Sequence, residues 1–264
     1  MGTRIDPEAV VANAARGDRN RSLERGIAIL RAFRPGADLL GNGELAERTG
    51  LSRATVSRLA QTLVDSGMLE HDRRRRAYRL AAPVLSLAHA MRTGSPVLQL
   101  AGPWMRTEAE QRKINVGLAV ADGDEMVYLE SVRYSRRVAW RNVVAGQRVP
   151  MELTSLGRAW LSAATDGARR GLMAQFRERR TSGWRDLARD IEAAIASVHK
   201  HGYCWASWQP QVVALATPVV VVDHPVYVLN MSITGDAEAT EVVDRLCEPL
   251  LSLKRRLQDA ISHC

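Results

Sequence analysis

The sequence predicts an α+β chain in two parts, an N-terminal winged helix-turn-helix and a larger mixed α/β domain joined to it by a linker helix. Three observations carry this. The 264 residues exceed the roughly 100–200 of one domain, and 46% apolar with 25% charged residues is an ordinary globular balance. The formal charge of +8 is uneven: residues 1–90 hold 15 Arg/Lys against 10 Asp/Glu, residues 91–264 hold 22 against 19. Finally, apolar spacing is helical up to about Thr93 and becomes a mixture of strand-like and helical runs beyond it. The basicity is nearly all arginine, since Lys113, Lys200 and Lys254 are the only lysines, and it points to a phosphate-bearing partner.

Residues 1–20 are expected to form a flexible basic arm carrying Arg16 and Arg19. Ser22 is a candidate cap for a helix running to Phe33, with Leu23, Ile27, Leu30 and Ala28 or Phe33 as its core face, broken by Pro35-Gly36. Glu44 to Thr49 reads as a short helix ended by Gly50, which tolerates the left-handed backbone of a helix C-terminus. Leu51-Ser52 is the turn, and Ser52 caps a second helix from Arg53 to about Ser66. Val56, Leu59, Ala60, Leu63 and Val64 form one buried stripe of it, leaving Arg53, Thr55, Arg58, Gln61 and Thr62 for the outer face. Such a pair followed by a polar reading face is a helix-turn-helix signature. Met68 to Glu70 and Ala77 to Leu80 are short strands around a turn at His71–Arg76, which makes a wing headed by four arginines. The winged helix-turn-helix is thus placed at 21–82, and a linker helix from Pro83 to Thr93 with a Gly94-Ser95-Pro96 hinge at 83–96.

The second domain, 97–264, is expected to hold strands at 114–121, 125–133, 138–144, 212–222 and 226–234. Helices are expected at 161–180, 184–200 and 236–261, the last kinked at Pro249.

Several chemistries lose ground to plainer readings. Cys204, Cys247 and Cys264 are odd in number and far apart, unlike a secreted disulfide framework, and Met1 to Asn20 lacks the apolar stretch of a signal peptide. With no apolar run near the ~18 residues of a membrane span, the expected location is the cytoplasm, without membrane contact. His199, His201 and Cys204 supply metal-ligand types, but no second cluster accompanies them, and a helix end followed by a loop is the preferred reading. Ser155 does not sit in a Gly-x-Ser-x-Gly elbow and no nucleotide-binding glycine motif occurs, so neither an enzyme nor a cofactor is expected. Trp205 or Trp208 could stack on a small molecule, and Arg141 or Asn230 could anchor its carboxylate.

Ser22 to Leu30 and Glu44 to Leu59, continuing through Gly67, Leu69 and Tyr78-Arg79-Leu80, resemble the winged helix-turn-helix of the IclR family of transcriptional regulators. One departure is Gly41-Asn42-Gly43, where the family usually has a Ser or Thr cap. More loosely, Gly117 to Val120, Val127 to Glu130, Leu156-Gly157-Arg158-Ala159 and Ser232 to Gly235 are similar to landmarks of the family's GAF-like effector-binding domain. The resemblance implies a pocket lined by Val149, Ser155, Leu156, Val212, Ala214, Ser232 and Thr234, to which Trp205, Trp208 and Asn230 are added from the residue chemistry. Family acidic residues just after Gly202-Tyr203 are replaced by Cys204 through Pro210.

The implied function is regulation of transcription by a homodimer or homotetramer that binds a palindromic double-stranded DNA operator and a small-molecule effector, a small organic or aromatic acid. Ser52, Arg53, Thr55, Ser57, Arg58 and Gln61 are the expected reading contacts, with Arg73, Arg74, Arg75, Arg76 and Arg79 gripping phosphates or a minor groove. The alternatives are a sensor whose winged helix binds protein, and a hydrolase.

Overall fold

In the computed structural model, which describes residues 20–134, 144–180 and 182–263, the first helix α1 (Arg21–Arg31) is capped by Asn20 rather than by Ser22. The Asn20 side-chain Oδ1 accepts from the N–H groups of Ser22 and Leu23, both at 3.1 Å, satisfying two donors that have no partner within the helix. The inward face also differs from expectation. Ile29, Ala32 and Phe33 are buried, whereas Leu23 and Ile27 are exposed. At about 100° per residue, positions 23 and 27 lie about 120° and about 160° around the helix from Ile29, so α1 carries apolar groups on two sides and only one reaches the core.

The strand β1 (Leu40–Gly41) leads into α2 (Asn42–Thr49), which starts earlier than the sequence suggests. Without a Ser or Thr cap, the Gly41 N–H donates instead to the Glu44 carboxylate at 2.9 Å. After the turn comes α3 (Arg53–Asp65), capped by the Ser52 hydroxyl, which accepts from the Thr55 N–H. Val56 and Ala60 are fully buried, and Leu59, Leu63 and Val64 pack partly buried against a core of Ile29, Phe33, Leu40, Leu45 and Tyr78.

The wing is β2 (Leu69–Asp72) and β3 (Ala77–Leu80), with β1 on the far side of β3. Its turn is Arg73–Arg76, shorter than expected. His71 and Asp72 are strand residues, paired with Tyr78 and Ala77, and the His71 and Tyr78 rings stack at 4.9 Å. The helix α4 (Pro83–Thr93) has the expected bounds, and the fold divides into two units between Met91 and Arg92.

The second unit opens on α5 (Pro96–Arg112), a helix just after the expected Gly94-Ser95-Pro96 hinge, in a stretch for which the sequence suggested no element. Ser95 caps it, Pro96 starts it, and Val97, Leu98, Ala101, Met105 and Ala109 are buried at helical spacing, a pattern obscured by Gly102-Pro103. The strands are β4 (Asn115–Asp122), β5 (Glu125–Arg133), β6 (Arg148–Pro150), β7 (Cys204–Gln209), β8 (Val212–Val219) and β9 (Tyr227–Thr234). They form one antiparallel sheet in the order β6-β5-β4-β9-β8-β7. Of these, β6 and β7 were not foreseen, and the expected strand 138–144, with Trp140 and Arg141, falls almost wholly outside the described residues.

The helix expected at 161–180 is two, α6 (Ser155–Ala163) and α7 (Asp166–Arg179), because Thr165 extends the chain and caps the second with its hydroxyl. There follow α8 (Trp184–His201) and α9 (Ala239–Ser262), which is continuous through Pro249. Side chains of α5 and α9 share one core with Val116, Leu118, Leu215, Leu229 and Met231 of the sheet. Those of α6, α7 and α8 share another with Ala119, Tyr128, Ala216 and Val228, so the sheet lies between two helical layers.

Candidate nucleic-acid interface and ligand site

On α3, Ser52, Arg53, Ser57, Arg58 and Gln61 are exposed and Thr55 is half-buried. They differ in how committed they are. The Ser52 and Thr55 hydroxyls lie 2.9 Å apart as part of the cap, and the Gln61 amide donates to Asp65 at 2.8 Å. Arg48, which could have joined the basic surface, instead donates to the Ala32 carbonyl at 3.0 Å and ties α2 to α1.

In the wing, Arg73, Arg74, Arg75, Arg76 and Arg79 are all exposed. Asp72 organises the turn. Its carboxylate accepts from the Arg75 N–H at 3.0 Å and pairs with Arg79 at 2.9 Å, and the backbone hydrogen bond holds its pKa below the usual carboxylate value. Arg16 and Arg19 lie outside the described residues.

The residues expected to bind a small molecule fall into two places. Ala214, Asn230 and Ser232 are buried on one face of the sheet, in register as Ala214 opposite Ser232 and Gly117 opposite Asn230, with Val212 opposite the exposed Thr234 at the strand ends. The first turn of α6, with buried Ser155 and Leu156, belongs to the helix that packs on β8 and β9. The Thr154 hydroxyl caps it by accepting from the Gly157 N–H at 3.2 Å. Val149 is a core residue beside them. Trp205 and Trp208 are on the edge strand β7, two strands from Asn230 and Ser232, and Trp208 packs partly buried against the core that holds Val149 and Leu156.

Two residues that the sequence offered as family landmarks, without a role in the pocket, shape the sheet-face site. A Cβ at Gly117 would lie 2.4 Å from Asn230 Oδ1 and 2.5 Å from Tyr128 Cε1, so only glycine lets the amide and the ring meet over β4. Burial pushes the Tyr128 hydroxyl up to about 12, with the Asn230 amide and Arg133 acting the other way. Asn230 Oδ1 is buried with no hydrogen-bond partner, an uncommon state for a carbonyl.

The metal reading finds no geometry. The Cys204 thiol is buried and donates to the Ser155 carbonyl at 3.5 Å, and His199 Nε2 lies 3.2 Å from the Ser162 carbonyl. Among the described residues, no three His, Cys, Asp or Glu side chains are placed to hold a metal ion, and no helix is long and apolar enough to cross a membrane.

A winged helix-turn-helix followed by a separate sheet domain defines a DNA-binding transcriptional regulator with an effector-binding domain, not an enzyme. Residues 22–73 match the IclR helix-turn-helix domain and residues 89–257 match the bacterial transcriptional regulator IclR C-terminal domain. The chain belongs to the IclR family. It is 33% identical over 183 residues to the HTH-type transcriptional regulator TsaQ1/TsaQ2 of Comamonas testosteroni, covering 69% of this chain and 66% of that one. The crystal structure of an IclR family transcriptional regulator from Brucella abortus superposes with a TM-score of 0.84 at 30% identity, covering 92% of this chain and 93% of that one. An IclR homolog from Microbacterium hydrocarbonoxydans, crystallised with 4-hydroxybenzoate, shares the fold at 19% identity and a TM-score of 0.68, over 92% and 100% of the two chains.

Proposed function

We propose that two copies of this chain bind a palindromic operator, with α3 in the major groove and the wing on phosphates or a minor groove, and that a small organic or aromatic acid on the sheet face changes that binding. The observation that carries the DNA half is the exposure of Arg53, Ser57 and Arg58 on one helix together with four arginines in the adjoining turn. Guanidinium forks match guanine edges and phosphates, and helix N-terminal side chains are those that reach bases. Residues 21–82 are then the reading head, 83–96 the connection and 97–264 a GAF-like sensor, acting in the cytoplasm where the DNA is.

The pairing of copies is supported by apolar side chains that a lone chain leaves in water. No residue of α4 is buried, and its Leu85, Leu87 and Met91 are 74%, 60% and 53% exposed; Leu23 and Ile27 of α1 are exposed as well. The acid is supported by the orphaned Asn230 carbonyl, which calls for a donor, and by the N–H groups at the start of α6, which favour an anion. The 4-hydroxybenzoate of the Microbacterium hydrocarbonoxydans homolog carries a hydroxyl donor and a carboxylate of those kinds.

Mobility shift with DNA flanking its own gene, against random competitor, tests the first half. A specific complex, loosened or tightened by 4-hydroxybenzoate and sedimenting with an even number of chains, is expected. Absence of any DNA preference would favour the winged helix as a protein-binding module.

A further inference from the structure

The strand β5 changes phase once along its length. Leu118 of β4 pairs with Glu130 and Ala119 with Tyr128, so Leu129 is an extra residue without a partner on β4. Such a bulge breaks the two-residue alternation of side chains. Its neighbours therefore serve different layers. The Tyr128 ring lies beside Gly117 and Asn230, in the core shared with α6, α7 and α8. The Leu129 side chain packs against the opposite core, shared with α5 and α9.

The bulge is also where α4 is fastened. Arg92, in the last turn of α4 and already part of the second unit, donates through Nη1 to the Leu129 carbonyl. Its Nη2 donates to the Glu130 carboxylate at 2.8 Å. The other Glu130 oxygen accepts from the Ser131 N–H at 3.0 Å, which fixes the carboxylate that Arg92 grips. The plain role of a last-turn arginine is to complement the helix dipole. Here the guanidinium bridges two consecutive residues at the bulge, so its place depends on the local backbone of β5. No residue of α4 is buried, so no buried side chain of that helix duplicates the grip. A second tie differs in kind. Gln99 of α5 donates to the Thr93 carbonyl at 2.7 Å and joins the end of α4 to the next helix rather than to the sheet.

We propose that Arg92 is a positioning residue through which the sheet face sets the last turn of α4. A shift of the Tyr128 ring moves the bulge, and Arg92 passes that movement to the helix. The regulatory meaning of this coupling rests on the reading that the sheet face takes the effector; the coupling itself is a property of the chain alone.

The test is hydrogen–deuterium exchange of the full chain, read by mass spectrometry with neither DNA nor acid present. Two variants disturb the sheet face from within. Gly117→Ala puts a Cβ 2.4 Å from Asn230 Oδ1 and 2.5 Å from Tyr128 Cε1. Asn230→Ala removes the amide beside the ring, and because its carbonyl has no partner this variant should fold even where the first does not. At least one of them should change the exchange of amides 89–93 by about threefold or more. Arg92→Gln should speed that exchange about tenfold, the worth of hydrogen bonds to a charged group, and should abolish the response to the sheet-face variants. Gln99→Ala should also speed exchange yet leave the response intact, which separates coupling from mere fastening. Exchange unchanged by Arg92→Gln, no response to either sheet-face variant, or equal responses with and without Arg92 would each overturn the proposal. So would a response lost as fully in Gln99→Ala as in Arg92→Gln. A response that runs through Arg92 in a chain that takes up no 4-hydroxybenzoate would uphold the coupling and count against the effector reading alone.

Discussion

Replacing Arg73, Arg74, Arg75 and Arg76 by alanine should flatten the salt dependence of operator binding by a calculable amount. Among the described residues no ion pair engages these four side chains, whereas Arg79 is held by Asp72 at 2.9 Å, so the four at the turn carry the wing's uncompensated charge. A four-residue turn directs successive side chains apart, and about two of them can reach one phosphate backbone. Each phosphate neutralised contributes roughly 0.9 to the slope of log K against log salt, so each wing should contribute about 1.8. Over a rise from about 50 to about 200 mM salt that corresponds to a roughly twelvefold loss of affinity per wing that the variant would no longer suffer. Fluorescence anisotropy of a labelled operator across that range measures the slope directly. Arg79→Ala should change it less, because removing Arg79 also releases the Asp72 charge. A slope that moves by less than about 0.5 in the quadruple variant would mean that the wing stays in solvent and that α3 holds the DNA without it.

Three further outcomes are expected. Arg58→Ala should cut the ratio of operator to random-DNA affinity by about 1–3 kcal/mol at fixed salt, as a base contact does, and an unchanged ratio would remove Arg58 from the readout. Gly157→Ala should destabilise the second unit, because the new Cβ would lie 2.1 Å from the Met151 carbonyl oxygen and 2.3 Å from its Cα, backbone atoms that cannot turn aside. Overpacking of this kind costs about 1–3 kcal/mol, and a melting temperature within about 1 °C of the parent would contradict it. Stability should also fall on the alkaline side. Burial raises the Cys204 thiol from 9.0 to about 12, so its contribution is complete below pH 9 and is lost as pH rises from there towards 12, with the unfolded thiol ionising first. On the order of 1 kcal/mol should be gone by pH 10, and Cys204→Ala should flatten the decline in urea midpoints between about pH 8 and pH 10; parallel declines would refute the assignment.

Legibility followed the range of the interactions. The two motif helices were readable because Ser52, Gly50 and the Val56–Ala60 stripe act within a few residues of one another. The linker helix was readable for the same reason, at both ends. Failures came where a local signal had a rival. Asn20 outcompeted Ser22 as a cap, Thr165 divided a helix that apolar spacing alone would have continued, and Gly102-Pro103 masked α5. The edge strands β6 and β7 are short or irregular, and pairing with β5 and β8 decides them rather than their own composition.

The site divides in the same way. The residues of α3 and the wing were legible as a group, since helical period and turn chemistry alone put Arg53, Ser57, Arg58 and Arg73 to Arg76 on the outside. That the chain is an arginine-rich regulator with a reading helix, a wing and a separate sheet domain was therefore written in its order of residues. Only the tertiary structure put Trp205 and Trp208 on an edge strand with β8 between them and Asn230 and Ser232, because strand order is set by pairings dozens of residues apart. Nor could the sequence show that Gly117 clears a place for Asn230 or that Arg158 is dehydrated. Burial and electrostatic partnership belong to the packed whole, where desolvation lowers the pKa of an otherwise ordinary arginine.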